Sequence, residues 1–85
     1  MTAFDYTITD EIGIHARPAG LLAKEAAKYE SKVMLHFGDK KADARRLIAV
    51  MGMGVKHGHT VHVEVEGADE VQAAAQLEAF FKANL

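Results

Sequence analysis

Residues 13–18 read Gly13-Ile14-His15-Ala16-Arg17-Pro18, a histidine where a loop turns into a helix, with an arginine two residues on. An imidazole so placed can attack phosphorus and then hold the anion it has gained. Three aids converge on it. The first helical turn offers backbone N–H groups without intrahelical acceptors, and the helix dipole favours negative charge there. Arg17 adds a guanidinium whose fork matches phosphate oxygens. Pro18, the chain's only proline, is tolerated because the N–H it lacks would have found no partner in the first turn.

Phosphoryl transfer asks mainly for positioning and charge stabilisation, because its transition state is loose. The acceptor must be a neutral ring with a free lone pair, and the arginine and the helix end both disfavour a positive charge on it. Once the group has arrived, the same neighbours face a dianion and attract it. His15 and Arg17 are therefore the candidate reacting pair, with Ala16, Arg17 and Pro18 as the helix start that steadies the phosphate. A carrier must also release its cargo. A shallow site with one arginine and two or three backbone donors suits that better than a metal cage, so neither a metal nor a cofactor is expected.

The elements that must position this loop follow from periodicity. Residues 3–9 alternate, with Phe4, Tyr6 and Ile8 on one side and Asp5, Thr7 and Thr9 on the other, the pattern of a half-buried strand. From Ala16 to about Tyr29 the chain is rich in helix formers, and Ala19, Leu22, Ala23 and Ala26 recur at helical spacing. A strand is expected over 32–37, with Val33, Leu35 and Phe37 inward and Met34 and His36 outward; Gly38-Asp39 turns it into a short strand near 40–43. Residues 45–53 fit either a strand or a helix. A short helix is preferred, because a strand would leave no further apolar face to cover the sheet, and Gly52 and Gly54 would stop it. His57-Gly58-His59 reads as a turn, and Val61, Val63 and Val65 alternate with His62, Glu64 and Glu66 in a strand. Asp69 and Gln72 resemble a capping box opening a last helix, which carries Val71, Ala74, Leu77 and Phe81 on one face. The expectation is an α+β fold of order β-α-β-β-α-β-α, a four-stranded antiparallel sheet with three helices on one face and water on the other.

Composition narrows the classes. A chain of 85 residues reads as one domain over 1–85 that buries somewhat more than ~60% of its unfolded surface. A net charge of -2 with interleaved acids argues against a nucleic-acid partner. The absence of cysteine excludes disulfides and thiolate metal sites. No apolar run approaches the ~18 residues that span a bilayer, and the first residues do not read as a signal peptide. No membrane insertion and a cytoplasmic location are the expectation.

The stretch Gly13-Ile14-His15-Ala16-Arg17-Pro18-Ala19 resembles the active-site signature of the HPr family, the histidine phosphocarriers of the bacterial phosphoenolpyruvate-dependent sugar phosphotransferase system. The similarity runs over nearly the whole chain, including Met51-Gly52-Met53-Gly54-Val55-Lys56. It implies an open-faced sandwich with sheet order 1-4-2-3. It also implies that His15 accepts a phosphoryl group on Nδ1 from phosphorylated Enzyme I and passes it to an enzyme IIA domain, with Arg17 stabilising charge. A patch of Gly20, Leu21, Leu47, Ile48 and Met51 would meet both partners. Of Leu47, Ile48 and Met51, at least one is expected in the core, and Leu47 or Ile48 is expected outside it.

One position departs from the family pattern. Gram-positive members carry a regulatory serine at the start of the short helix, where this chain has Arg46 after Arg45, and its only serine is Ser31. Two positive charges at a helix start are locally unfavourable, which suggests that Arg46 meets acidic groups on a partner. A regulatory-branch carrier, signalling nitrogen or carbon state, is the alternative within the family. Outside it stand a small phosphatase, for which no second acid or base flanks His15, and a ligand-binding regulatory module. The spacing of His57, His59 and His62 also invites a metal, but no carboxylate is expected to converge on them, and they read as exposed titrating side chains. A monomer is expected, since a shuttle must leave its active face open.

Overall fold

Alternating apolar and polar residues have the period of a pleated strand, and the stretches that show it form the sheet. The computed structural model describes residues 1–85. Its strands are β1 (Thr2–Thr7), β2 (Lys32–Phe37), the short β3 (Lys40–Asp43) and β4 (Thr60–Glu66), and its helices are α1 (Ala16–Ala26), α2 (Leu47–Gly52) and α3 (Glu70–Asn84). The sheet order is β1-β4-β2-β3, with each neighbouring pair antiparallel. Register places Phe4 opposite Val63, Tyr6 opposite Val61, Val33 opposite Val65 and Leu35 opposite Val63. The apolar residues of the strands therefore share one face, and the helices cover it. Leu22 and Ala26 of α1, Val50 of α2, and Leu77 and Phe81 of α3 join the strand valines in one buried cluster. Phe81 meets the rings of Phe4 and Tyr6 edge-on, with centroids 5.8 and 5.6 Å away, the geometry that ring quadrupoles favour.

Four local expectations are corrected. Helix α1 ends at Ala26 rather than near Tyr29: the next turn tightens, with Lys28 N–H donating to Glu25 O and Tyr29 N–H to Ala26 O. The Tyr29 hydroxyl donates to Glu25 Oε2 at 2.7 Å, and burial, then this carboxylate, pushes the phenol up to about 12. The capping box at Asp69 does not form. The Asp69 carboxylate instead accepts the Glu30 and Ser31 N–H groups, each at 3.0 Å, together with the Ser31 hydroxyl. These bonds, the hydroxyl first and the Glu30 amide next, hold the carboxyl below its ordinary range. Asp69 thus satisfies a neighbouring turn rather than its own helix.

The apolar stripe of α3 contains Ala73, Ala74, Leu77 and Phe81, while Val71 is 74% exposed. Val71 lies about 120° round the helix from Leu77 at 3.6 residues per turn, outside the stripe. In α2 none of Leu47, Ile48 and Met51 is buried; Val50 supplies the core contact, followed by Met53 just past the helix.

The open face of the sheet also differs from the expected picture of independent histidines. His62 Nδ1 lies 2.6 Å from Asp5 Oδ1 across β1 and β4, and His62 Nε2 lies 3.4 Å from Glu64 Oε2. Glu64 Oε1 in turn meets His36 Nε2 at 2.8 Å on β2. Two carboxylates do converge on His62, then: Glu64 from two residues along β4, and Asp5 through cross-strand pairing that a linear spacing rule does not see. His57 and His59 do not join them.

The Asp5 carboxylate, and to a smaller degree Glu64, raises His62 above the ordinary imidazole value of 6.5. A raised folded-state value stabilises the fold fully below the unfolded value, and the contribution is lost as pH rises through the folded one. His62→Gln should therefore lower the thermal midpoint more at about pH 5.5 than at about pH 8.5. Thermal unfolding across that range checks the sign; a deficit that grows with pH contradicts the pairing.

Candidate functional site

The loop between β1 and α1 is built outward from Asp10. Its carboxylate accepts the Ile12 N–H at 2.9 Å, and its carbonyl accepts the Gly13 N–H at 3.1 Å. Gly13 has φ of +87°, where only glycine is at ease, and a Cβ there would lie 2.5 Å from both Lys56 Cα and Val55 O. The backbone crossing is closed by Ile14 N–H donating to Val55 O at 3.0 Å, with the Ile14 side chain buried. These contacts fix the chain up to the residue before His15.

His15 is the N-cap of α1, with extended backbone at φ −121° and ψ −175°, and its carbonyl accepts the Ala19 N–H at 3.0 Å. Its side chain makes no capping bond. The ring, half-buried, is left facing its surroundings. Pro18 and Ala19 are buried and seat the first turn, Ala16 and Arg17 are exposed, and the N–H groups of Ala16 and Arg17 have no acceptor within the chain. Nor does the Arg17 guanidinium pair with any carboxylate. An imidazole, a guanidinium and two amide donors without acceptors thus meet at one helix start. That set can receive an anion on the ring and stabilise it.

His15, Arg17, Pro18 and Leu21 line a shallow depression of about 260 Å³ with Asp10, Ala83 and Asn84. The last three were not singled out in the sequence. Ala83 and Asn84 arrive because Leu85 O accepts the Thr9 and Asp10 N–H groups at 2.6 and 2.8 Å and the Thr9 hydroxyl at 3.0 Å. No sequence pattern announces a junction between backbone atoms so far apart. Asp10 had a usable signal, since an aspartate two residues before a backbone donor in a glycine loop marks an Asx turn.

The expected partner patch is exposed except at Gly20, and apart from Leu21 it lies outside the depression. Gly20 is half-buried, Leu21 is exposed on α1, and α1 packs against α2, which carries exposed Leu47, Ile48 and Met51. Ile48, at 79% exposure, is the most open of these. Arg46 caps α2 without a side-chain bond to it.

The model of one protein family, described as "PTS HPr component phosphorylation site", matches residues 2–83. The chain belongs to the HPr family of phosphocarriers. It is similar to the phosphocarrier protein HPr of Mycoplasma capricolum, with 38% identity over 73 residues, covering 86% of this chain and 82% of that one. With HPr of Mycoplasma genitalium it shares 35% identity, covering 99% and 97% of the two chains. Among solved structures it is similar to an HPr from Thermoanaerobacter tengcongensis, with a TM-score of 0.93, 31% identity and coverage of 99% and 94%. The HPr open-faced sandwich, with its 1-4-2-3 sheet, is therefore the fold of this chain.

The tight crossing at Gly13 supplies a test of how the site is held. Gly13→Ala should cost about 2–4 kcal/mol, combining an unfavourable positive φ with a backbone clash. Urea unfolding measures it; a loss under about 0.5 kcal/mol would mean that the crossing yields easily.

Proposed function

We propose that His15 accepts a phosphoryl group on Nδ1 from phosphorylated Enzyme I and delivers it to an enzyme IIA domain of a sugar phosphotransferase system. The observation that carries this reading is the uncapped His15 ring at the start of α1, beside an arginine with no carboxylate partner. The ring lone pair forms the N–P bond as the donor's bond to phosphorus breaks. The Arg17 guanidinium and the Ala16 and Arg17 N–H groups lie at the helix start to receive the phosphoryl oxygens. Delivery runs the same step in reverse, with the acceptor's nucleophile displacing the imidazole. The protein turns nothing over by itself. It is a covalently modified carrier, which fits a shallow depression better than an enclosed pocket.

Gly20, Leu21, Arg46, Leu47, Ile48 and Met51 are proposed as the docking surface for both partners. An adaptable, partly apolar surface suits brief docking to more than one protein. Arg46 gives that surface a positive charge where Gram-positive relatives place a regulated serine. Ser31, the only serine, is fully buried under the Asp69 carboxylate, a poor target for a kinase. No helix is long and apolar enough to cross a membrane. We place the carrier in the cytoplasm as a monomer over residues 1–85, acting without metal or cofactor.

Incubation with phosphoenolpyruvate and Enzyme I should add one acid-labile, base-stable phosphoryl group to the wild-type chain and none to His15→Ala. Arg17→Ala should slow transfer about tenfold, the effect of losing a hydrogen bond to a charged group, with the fold intact. Mass spectrometry and circular dichroism read the two outcomes. Phosphorylation that persists in His15→Ala would overturn the assignment, as would wild-type rates in Arg17→Ala for the arginine. Parallel transfer to sugar-branch and regulatory-branch enzyme IIA domains decides which branch is served.

A further inference from the structure

We propose that His59 is a positioning residue for the reacting loop, its Nδ1 bond to the Lys56 amide setting the backbone against which Gly13 and Ile14 seat His15. This rests on the phosphocarrier reading of His15. The Lys56 N–H points at His59 Nδ1 over 3.0 Å. An amide can only donate, so Nδ1 presents its lone pair there and any ring proton sits on Nε2. The His59 N–H returns to Lys56 O at 3.0 Å, closing residues 56–59 into a doubly bonded turn.

That turn is clamped on two further sides. Gly58 N–H donates to Ile8 O and Ile8 N–H donates to His59 O, both at 2.9 Å, tying it to the end of β1. The His59 ring stacks on Phe37 at the end of β2, with centroids 4.7 Å apart and planes 26° from parallel. The segment so held, Val55–Lys56, is the one Gly13 crosses, and Val55 O takes the Ile14 N–H. The chain of contacts therefore runs from the Phe37 ring through the His59 ring and the Lys56 amide to the Gly13 crossing, and then to His15. His59 does not line the depression and touches no transferred group. Its part is to fix where the ring of His15 stands.

The acceptor and the stacking surface separate cleanly by substitution. His59→Asn keeps an acceptor at the δ1 position and loses the ring; His59→Phe keeps the ring and loses the acceptor; His59→Ala loses both. Each full-length variant is first shown to be folded by circular dichroism. Phosphoryl transfer from Enzyme I is then measured with varied carrier concentration, together with hydrogen exchange at the Ile14 amide. His59→Phe should lower kcat about fivefold with KM unchanged, and speed Ile14 exchange by a similar factor, as expected for one lost hydrogen bond. His59→Asn should stay within about twofold of wild type on both readouts.

Three results would overturn the proposal: wild-type kcat and exchange in His59→Phe, a loss in His59→Asn as large as in His59→Phe, or a raised KM with kcat retained. If the wild-type chain takes no phosphoryl group, the phosphocarrier reading fails instead. Ile14 exchange still decides whether the His59 bond holds the loop.

Discussion

At Gly13 the backbone of the first loop passes so close to Val55 and Lys56 that a methyl group would stand 2.5 Å from two of their atoms. This crossing is the constraint on which the site depends. It links the chain entering α1 to the chain entering β4 and is secured by one backbone hydrogen bond, Ile14 N–H to Val55 O. The elements it joins are themselves fixed by the buried cluster, to which Ile14 and Val55 both belong. A surface residue can thereby have a well-defined position without being buried itself. The role proposed for His15 asks for that combination, because a ring that trades a load between partners must be reachable and yet always in the same place.

Much of this fold could be read from periodicity. The strands at 32–37 and 60–66 alternate cleanly, and their inward residues are the buried ones, with Phe37 only partly so. The signal failed where two physical demands competed for one side chain. Asp69 has the sequence of a cap, yet the nearby turn at Glu30-Ser31 offers three donors and takes the carboxylate. Val71 has the hydropathy of a core residue but the wrong angle, since the stripe centres on Leu77. In α2, hydropathy named the apolar residues without saying which face is inward; Val50 and Met53 take the core and leave Leu47, Ile48 and Met51 outside.

The site was legible in its local part only. His15, Arg17, Pro18 and Leu21 lie within seven positions of one another, so the helix period alone brings them to one end of α1. Ala83 and Asn84 reach the same depression through bonds from Thr9 and Asp10 to Leu85 O, a meeting of distant segments that no local rule contains. The same holds on the open face. Asp5, His62, Glu64 and His36 form a line of alternating acid and imidazole only because the register of β1, β4 and β2 places them side by side. Register is decided by burial of the opposite face, so the valines of β4 determine who neighbours its histidine.

Two groups of charges therefore behave differently. On the open face each imidazole already has a carboxylate, and the pairs complete one another within the chain. At the start of α1 the guanidinium and the two amide donors have no anion of their own. Donors left without acceptors at the surface are hydrated, and exchanging water for phosphoryl oxygens yields a modest net gain, since water–protein bonds are lost as phosphate–protein bonds form. A modest gain is what a relay requires. A buried, fully enclosed cradle would bind the group more tightly in a lower dielectric and raise the barrier to its departure. In the proposed carrier role, the exposure of Arg17 and the shallowness of the depression would keep phosphorylated and free forms close enough in free energy for the group to move on.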